Sequence, residues 1–372
     1  MLCSKGRVGS SPTTGTINRF GQIAGSRFSV TVMPVSTAFR GQRGRTLVAL
    51  AAIVLIFGLI ASWNIGDAGF SEFYSSAARS MSISWRAFFF GTFDPGASIT
   101  LDKLSGFVVP QAISARIFGF HAWSIALPEV LEGMVTVVAA YVVACRWRGA
   151  LAGILSALIT ASTPLLPSMF GHVMEDGLLT MSLALALVFW QTSALTGRLL
   201  PLVFSAVWVG VGFQAKMMQA WLIVPAIVIG ILIADTSRMR RRVARALLFL
   251  LATIVSSLSW MTLIQLIPPG SRPYVDGSTN NNMFSMVFGY NGFNRLIPDL
   301  VPGSAPDFVH RIFSRQPNPG GVPKLLTPAI VTQVGWLYPL AVAGVVLVVV
   351  SVIRARKRPG GSARATGATI VV

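Results

Sequence analysis

TLVALAAIVLIFGLIASWNI, residues 46–65, runs for twenty residues without a formal charge. A helix needs about 20 predominantly apolar residues to cross the roughly 30 Å hydrocarbon core of a bilayer, so this stretch reads as a membrane span. Seven further apolar runs follow, at 123–145, 149–166, 178–196, 199–214, 219–235, 244–267 and 328–352. The expected fold is therefore all-α, a polytopic integral membrane protein with about eight transmembrane helices. The composition agrees: 53% of the 372 residues are hydrophobic and 11% charged, against roughly a quarter charged in soluble domains. An ordinary soluble globule is excluded.

The net charge of +18 first suggests a nucleic-acid binder, but its distribution along the chain points elsewhere. With the N-terminus placed inside, Arg40, Arg43, Arg45, Arg146, Arg148, Arg198, Arg238, Arg240, Arg241, Arg242, Arg245, Arg354, Arg356, Lys357, Arg358 and Arg364 all flank spans on the cytoplasmic side. Together with the four bases of the N-terminal tail they make 20 of the 30. This is the positive-inside pattern, and it removes nucleic acid as a partner. The acids sort the other way: all but Asp235 fall in outer loops or outer helix halves, as do His121, His172 and His310. Acid-base chemistry is expected on the outer face.

The chain divides into a polar, basic segment at 1–45, expected to be a disordered cytoplasmic tail, a membrane domain at 46–352, and a basic cytoplasmic tail at 353–372. Two long outer loops interrupt the membrane pattern, at 66–122 and 268–327. The first contains GFSEFYSSAARSMSISWRAFFFGTFDP (69–95), in which Phe73, Ala77, Met81, Trp85 and Phe88 recur at helical spacing. That recurrence predicts an amphipathic interfacial helix with Trp and Phe toward lipid. The second loop is rich in Gly, Pro and Asn, and loops of that size are usually functional.

Candidate chemistry gathers in these loops. Glu72, Asp94, Asp102 and Lys103 accompany Tyr74 and Arg79 in the first. Carboxylates can take a proton from an acceptor hydroxyl, and cations can neutralise a phosphate. MFGHVMEDGLL (169–179) adds His172, Glu175 and Asp176, with His172 and Glu175 expected on one side of a helical turn in an acceptor-positioning rather than a metal-binding role. Lys216, a cation between two apolar runs, suits a phosphate or carboxylate partner. Arg272, Tyr274, Asn281 and Tyr290 in the second loop offer donors, acceptors and ring faces. Glu129 and Glu132, one turn apart within an apolar run, are costly in a membrane and hence functional candidates; the alternative is that they pair with Arg116 or another helix. Cys3 and Cys145 provide no metal cluster or disulfide framework, and no metal or other cofactor is called for.

Taken in order, SEFYSSAARSMSISWRAFFFGTFDP, ITLDKLSGFVVPQAISARIFGFHAWS (99–124), VGVGFQAKMMQAW (209–221), SLSW (257–260), RPYVDGSTNNN (272–282) and FGYNG (288–292) resemble bacterial membrane glycosyltransferases of the GT-C superfamily. The similarity is to family 39, which includes protein O-mannosyltransferases and aminoarabinose transferases, and it covers about residues 46–345. It implies a GT-C-like fold with a large first extracytoplasmic loop and a sugar donor carried on a polyprenyl phosphate. Transfer to a glycan, lipid or protein acceptor would take place on the outer face of the cell membrane. Glu72 then falls near the family's first-loop acid, where the usual Asp-Glu pair reads Ser71-Glu72. Asp102-Lys103 falls on its acid-Lys pair, followed here by Leu104-Ser105 in place of Pro-Pro. The resemblance makes Glu72 or Asp102 the base or acceptor-orienting group and Lys103 a contact of the carrier phosphate; by residue type and place in the chain, Arg79, Lys216 and Arg272 are further candidate phosphate ligands. Tyr74, Asp94, His172, Glu175, Asp176, Tyr274, Asn281 and Tyr290 would contact substrate. A competing reading is a flippase or transporter of lipid-linked sugar carried by Glu129 and Glu132, or a non-catalytic relative.

Overall fold

Helix α1 (Arg40–Ala61) turns the opening apolar run into 22 residues of helix, and helices follow for most of the chain. The computed structural model describes residues 40–67, 70–234, 237–297, 299–306 and 325–356. The expected tails thus lie largely outside the described residues, as do Cys3, Asp235, Asp307 and His310. After α1 come α2 (Glu72–Ile83), α3 (Trp85–Phe90), α4 (Val108–Phe118), α5 (Ala122–Arg148), α6 (Ala150–Ser162), α7 (Leu165–Met169), α8 (Glu175–Thr196), α9 (Leu199–Lys216), α10 (Val224–Ala234) and α11 (Met239–Leu266). Helical segments Pro328–Val334 and Leu337–Arg356 follow. Among the described residues the only β pairing is a set of isolated bridges, so the all-α polytopic expectation holds.

By length and composition, five helical runs among the described residues are apolar enough to cross a membrane, or six if Pro328–Val334 and Leu337–Val346, bent by 67° from each other, count as one. The expected span at 149–166 contracts to the 13 residues of α6, because Thr163-Pro164 closes that helix. The runs at 199–214 and 219–235 join into one helical stretch of 35 residues, Leu199–Ile233. A straight helix of that length would part its ends by about 50 Å, yet both ends meet the start of α11. Arg245 donates to the Ser193 hydroxyl (2.7 Å) and the Gly197 carbonyl (3.2 Å), while Arg242, one turn earlier, donates to the Leu232 carbonyl (3.1 Å). The stretch therefore doubles back at the 3-10 turn Met217–Ile223, entered through Met217 at φ +47°.

Helices α8, α9, α10 and α11 form an antiparallel group around Ala186, Leu202, Ala206, Val209, Ile227 and Phe249. Since lipid is as apolar as leucine, helices in a membrane associate through close packing over small residues. Gly210 of α9 seats against Ser256 of α11, and Gly230 of α10 against the Trp190 ring of α8. A second cluster joins α1, α5, α6 and α7 around Phe57, Val137, Tyr141, Ala157 and Phe170. Arg146 ties the two groups by donating to Val188 O (2.8 Å) and Thr192 Oγ1 (3.0 Å). All these arginines lie at one end of the bundle.

The third and largest cluster caps the opposite, arginine-poor end. It unites α2, α4, the tops of α5, α8, α9 and α11, and both long loops through Met81, Leu101, Phe107, Ile125, Leu178, Phe213, Met261 and Val287. The expected interfacial helix at 69–95 breaks in two at Ser84, whose hydroxyl caps α3 by accepting from Ala87 N (3.2 Å). Its apolar stripe faces mostly inward: Ala77 and Met81 are fully buried, while Phe73 and Trp85 stay exposed. The two loops pair with each other. Tyr274 N donates to Ser98 O (2.8 Å) and Thr100 N to Tyr274 O (2.9 Å), forming a parallel bridge between Ile99 and Tyr274.

Candidate active site

Helix termini assemble the charges. A helix favours acids in its first turn and cations in its last, where the partial charges of unpaired N–H and C=O groups complement them. Glu175 and Asp176 open α8, and Lys216 closes α9. Because α8 and α9 run antiparallel, these ends become neighbours at the arginine-poor end. Lys216 Nζ lies 2.5 Å from Asp176 Oδ1 and 3.8 Å from Glu175 Oε1.

The first long loop brings a second cation to the same acids. Lys103 Nζ stands 3.7 Å from Glu175 Oε1 and 3.8 Å from Asp102 Oδ1, and it donates to the Tyr74 hydroxyl at 2.6 Å. Tyr74 completes the link with a hydrogen bond to Glu175. The loop is held to α9 by Gly106 N, which donates to Gln214 O (3.1 Å); a side chain at Gly106 would collide with Gln214. From the second loop, Asn291 Nδ2 donates to the Asp102 carbonyl (2.6 Å), and Arg295 holds Asn291 by its Oδ1 (3.2 Å). Four separate segments thus place Tyr74, Asp102, Lys103, Glu175, Asp176 and Lys216 in one partly buried cluster.

Its electrostatics favour proton and phosphate chemistry. Burial pushes the Asp102 carboxyl above the usual aspartate range; Lys103 opposes that shift, and the carboxylates of Asp276 and Glu175 reinforce it. Asp102 Oδ1 is buried and accepts no hydrogen bond. Burial, with Glu175 and Asp102 adding to it, also raises the Tyr74 phenol, so it remains a donor at all ordinary pH. The arrangement therefore offers an under-solvated carboxylate beside the Lys103 ammonium, which shares Glu175 with a second ammonium, Lys216.

Other residues singled out from the sequence go elsewhere. Glu72 and Arg79 are exposed on a different face of α2, away from Tyr74. Asp94 builds its own turn, accepting from Ser98 N (2.9 Å), Ser98 Oγ (2.8 Å) and Ile99 N (3.2 Å). These bonds overcome desolvation and hold its carboxyl below the usual range. Arg272 is buried, and its guanidinium donates to Gln265 Oε1 (3.2 Å) and the Asn281 carbonyl (2.6 Å). Asn281 in turn accepts from Val275 N (2.9 Å), and Tyr274 donates to Ser278 O (2.8 Å). The Tyr290 ring packs over Gly277. These four residues shape the second loop. His172 lies in the turn before α8, so the expected helical His172–Glu175 pairing does not form.

Glu129 and Glu132 form a buried pair behind the start of α8. Glu129 Oε1 accepts from Gln111 Nε2 (2.8 Å) and Met174 N (3.4 Å), and Gly177 leaves room for both carboxyl groups. Arg116 does not reach them: it donates to Met81 O (2.9 Å) and stacks 3.6 Å above the Trp85 ring. Asn291, which holds the Asp102 carbonyl, and Gln111, which holds Glu129, are not marked out by the sequence. The signal for Gln111 was a polar residue on the same helical stretch as the small residues Ala112 and Ala115.

Comparison with known proteins adds a family. Residues 108–260 match the profile described as "Dolichyl-phosphate-mannose-protein mannosyltransferase". The chain is 34% identical over 250 residues to a Bacillus subtilis (strain 168) protein named "Putative mannosyltransferase YkcB", and 32% identical over 249 residues to "Putative mannosyltransferase YycA" of the same organism. These alignments cover 66% and 67% of this chain but 35% and 36% of the relatives, so the chain spans about a third of their length. They bear out the resemblance read from the sequence: the chain is similar to GT-C glycosyltransferases of the family 39 type.

Proposed function

We propose that the cluster transfers a sugar from a polyprenyl-phosphate-linked donor to an acceptor at the outer face of the cell membrane. One observation carries this reading: Lys103 and Lys216, brought from different segments, converge on the acids of α8 beside Asp102, whose buried oxygen lacks a donor. In the reaction Asp102 takes the proton of the acceptor hydroxyl, whose oxygen forms a bond to the anomeric carbon. The bond from that carbon to the phosphate oxygen breaks, and the electron pair leaves with the phosphate. Lys103 and Lys216 exchange their carboxylate partners for the phosphate oxygens and neutralise the charge that develops there.

A raised carboxyl suits the base, because general-base efficiency is best when the group's pKa lies near working pH. The arginine-rich end, read by the positive-inside rule as cytoplasmic, supports an outer position for the cluster. Mannose is the sugar that the relatives' names suggest. The flippase reading draws no support from Glu129, which Gln111 and Met174 tie into helix packing, or from Glu132, which is buried against Glu129. Membranes containing the protein, given a polyprenyl-phosphate mannose labelled in the sugar, should release labelled mannose to an envelope acceptor. Asp102→Asn and Lys103→Ala should each abolish this at unchanged expression. Normal turnover in both variants overturns the site, and translocation of the donor without glycosyl transfer overturns the reaction.

A further inference from the structure

Helix α2 turns one face to the cluster and another to a cleft that the proposed reaction leaves unused. Phe70, Glu72, Ser75, Ser76, Arg79 and Phe120 line a hollow of about 250 Å³. Residues three and four apart share a helix face, which groups Glu72, Ser75, Ser76 and Arg79. Tyr74 lies off that face and packs against Phe107, with ring centroids 5.0 Å apart. The Phe70 and Phe120 rings approach to 5.5 Å, and the Arg79 guanidinium sits 5.6 Å from the centre of Phe120.

Ser75 marks the cleft as built for a ligand. It is only 3% exposed, and its hydroxyl has no hydrogen-bond partner. Its neighbour Ser76 solves the same problem within the helix by donating to Glu72 O (2.6 Å). A buried hydroxyl without a partner costs about 1–3 kcal/mol, so a bound hydroxyl or carbonyl that completed it would gain what the empty cleft forgoes.

We propose that this cleft binds a saccharide ring of the acceptor. The Glu72 carboxylate accepts from sugar hydroxyls, Arg79 donates to them, Ser75 pairs with one more, and the two phenyl faces cover the C–H side of the ring. Glu72 and Arg79 are opposite in charge, so the cleft carries no net charge to favour a phosphate or a carboxylate over a neutral ring. The volume lies below the roughly 300–1,000 Å³ of pockets that enclose drug-sized ligands and suits a single ring. Calling that ring part of the acceptor rests on the glycosyl-transfer reading; its binding does not. Glu72 becomes a recognition residue rather than the base.

Saturation-transfer NMR on the full chain in deuterated detergent tests the idea, with methyl α-mannopyranoside and methyl β-glucopyranoside as probes. Saturation of ring protons is expected for at least one probe. Glu72→Ala, Ser75→Ala and Arg79→Ala should each weaken binding roughly tenfold, the effect of losing one good hydrogen bond to a charged or buried partner. Ser75→Ala keeps the helix, since alanine is the best helix former, and it should melt no lower than the wild type. Lys103→Ala should lose sugar transfer from the polyprenyl-phosphate donor while binding the glycosides as the wild type does, which separates the cleft from the reaction. No saturation in the wild type, undiminished binding in the Glu72 and Ser75 variants, loss in Lys103→Ala, or saturation of a serine-containing peptide in place of both glycosides would each overturn the assignment.

Discussion

Replacing Lys103 by Met removes one ammonium from two carboxylates while keeping an unbranched side chain of similar length. At 3.7–3.8 Å, each pairing is worth about 4 kcal/mol of Coulomb attraction at an effective dielectric of about 20, and desolvation takes back most of it. Removing one member of a fully buried pair costs about 3–5 kcal/mol because a charge is left unpaired. Here the side chains of Lys103, Glu175 and Asp102 retain 13–19% exposure, which moves the expected loss to the lower end, about 3 kcal/mol. Glu175→Gln removes one of the two carboxylates that Lys103 pairs with, leaving that pairing already absent when Lys103 is lost, so the double variant should recover about 1.5 kcal/mol relative to the sum of the single losses. Unfolding of the four proteins in one detergent, at pH 7.5 and at low and high salt, measures that coupling. It should survive high salt, because screening acts weakly on buried pairs. Additivity within about 0.5 kcal/mol would refute the claim that Lys103 and Glu175 interact.

Asp102 sets a pH dependence. With its carboxyl raised by burial, transfer should fall as pH drops through a midpoint above the ordinary aspartate value of about 3.9. A pH–rate profile in membranes measures this, and a midpoint at or below the ordinary value contradicts Asp102 as base. Stability has the opposite sense: protonated Asp102 contributes fully below the ordinary value, and that contribution is lost as pH rises through the raised one. Asn291→Ala releases the Asp102 carbonyl and should lower kcat by roughly tenfold, the equivalent of one lost hydrogen bond, with KM for the donor little changed; a pure KM effect argues against a positioning role. Gly106→Ala puts a methyl 2.5–2.8 Å from Gln214, so it should destabilise by about 1–3 kcal/mol in thermal unfolding and weaken donor binding, since it moves Lys103 relative to Lys216.

Much of the fold was legible because a bilayer imposes a one-dimensional rule. Apolar length marks the helices, and arginine sorts their ends. The failures came where that rule is silent. The stripe at Ala77 and Met81 has the spacing of a lipid-facing helix, and periodicity does not distinguish a lipid partner from the protein core. The site shows the same division. Asp102-Lys103, Glu175-Asp176 and Lys216 each stood out locally as charges beside apolar runs. Their meeting did not, because it depends on the antiparallel sense of α8 and α9 and on the Gly106 contact. Arg272 and Asp94 carried equal promise by residue type, and the second loop and the Asp94 turn consumed them.

The charge balance of the cluster follows from the same constraint. Two lysines at the end of a membrane bundle, with no counterions of their own, would draw in any anionic headgroup and hold it. Paired with Glu175 and Asp176, at 13% and 26% exposure, they are already satisfied. A phosphate must then displace a carboxylate to bind, which costs it part of its attraction and leaves that carboxylate free to accept a proton or a hydroxyl. In the proposed reaction, donor binding and acceptor activation are thereby linked through the shared acids. Neutralising Glu175 and Asp176 together should therefore tighten retention of a plain polyprenyl phosphate while slowing transfer. Product-release kinetics with Glu175→Gln/Asp176→Asn would show this, and faster release from that variant would refute the linkage.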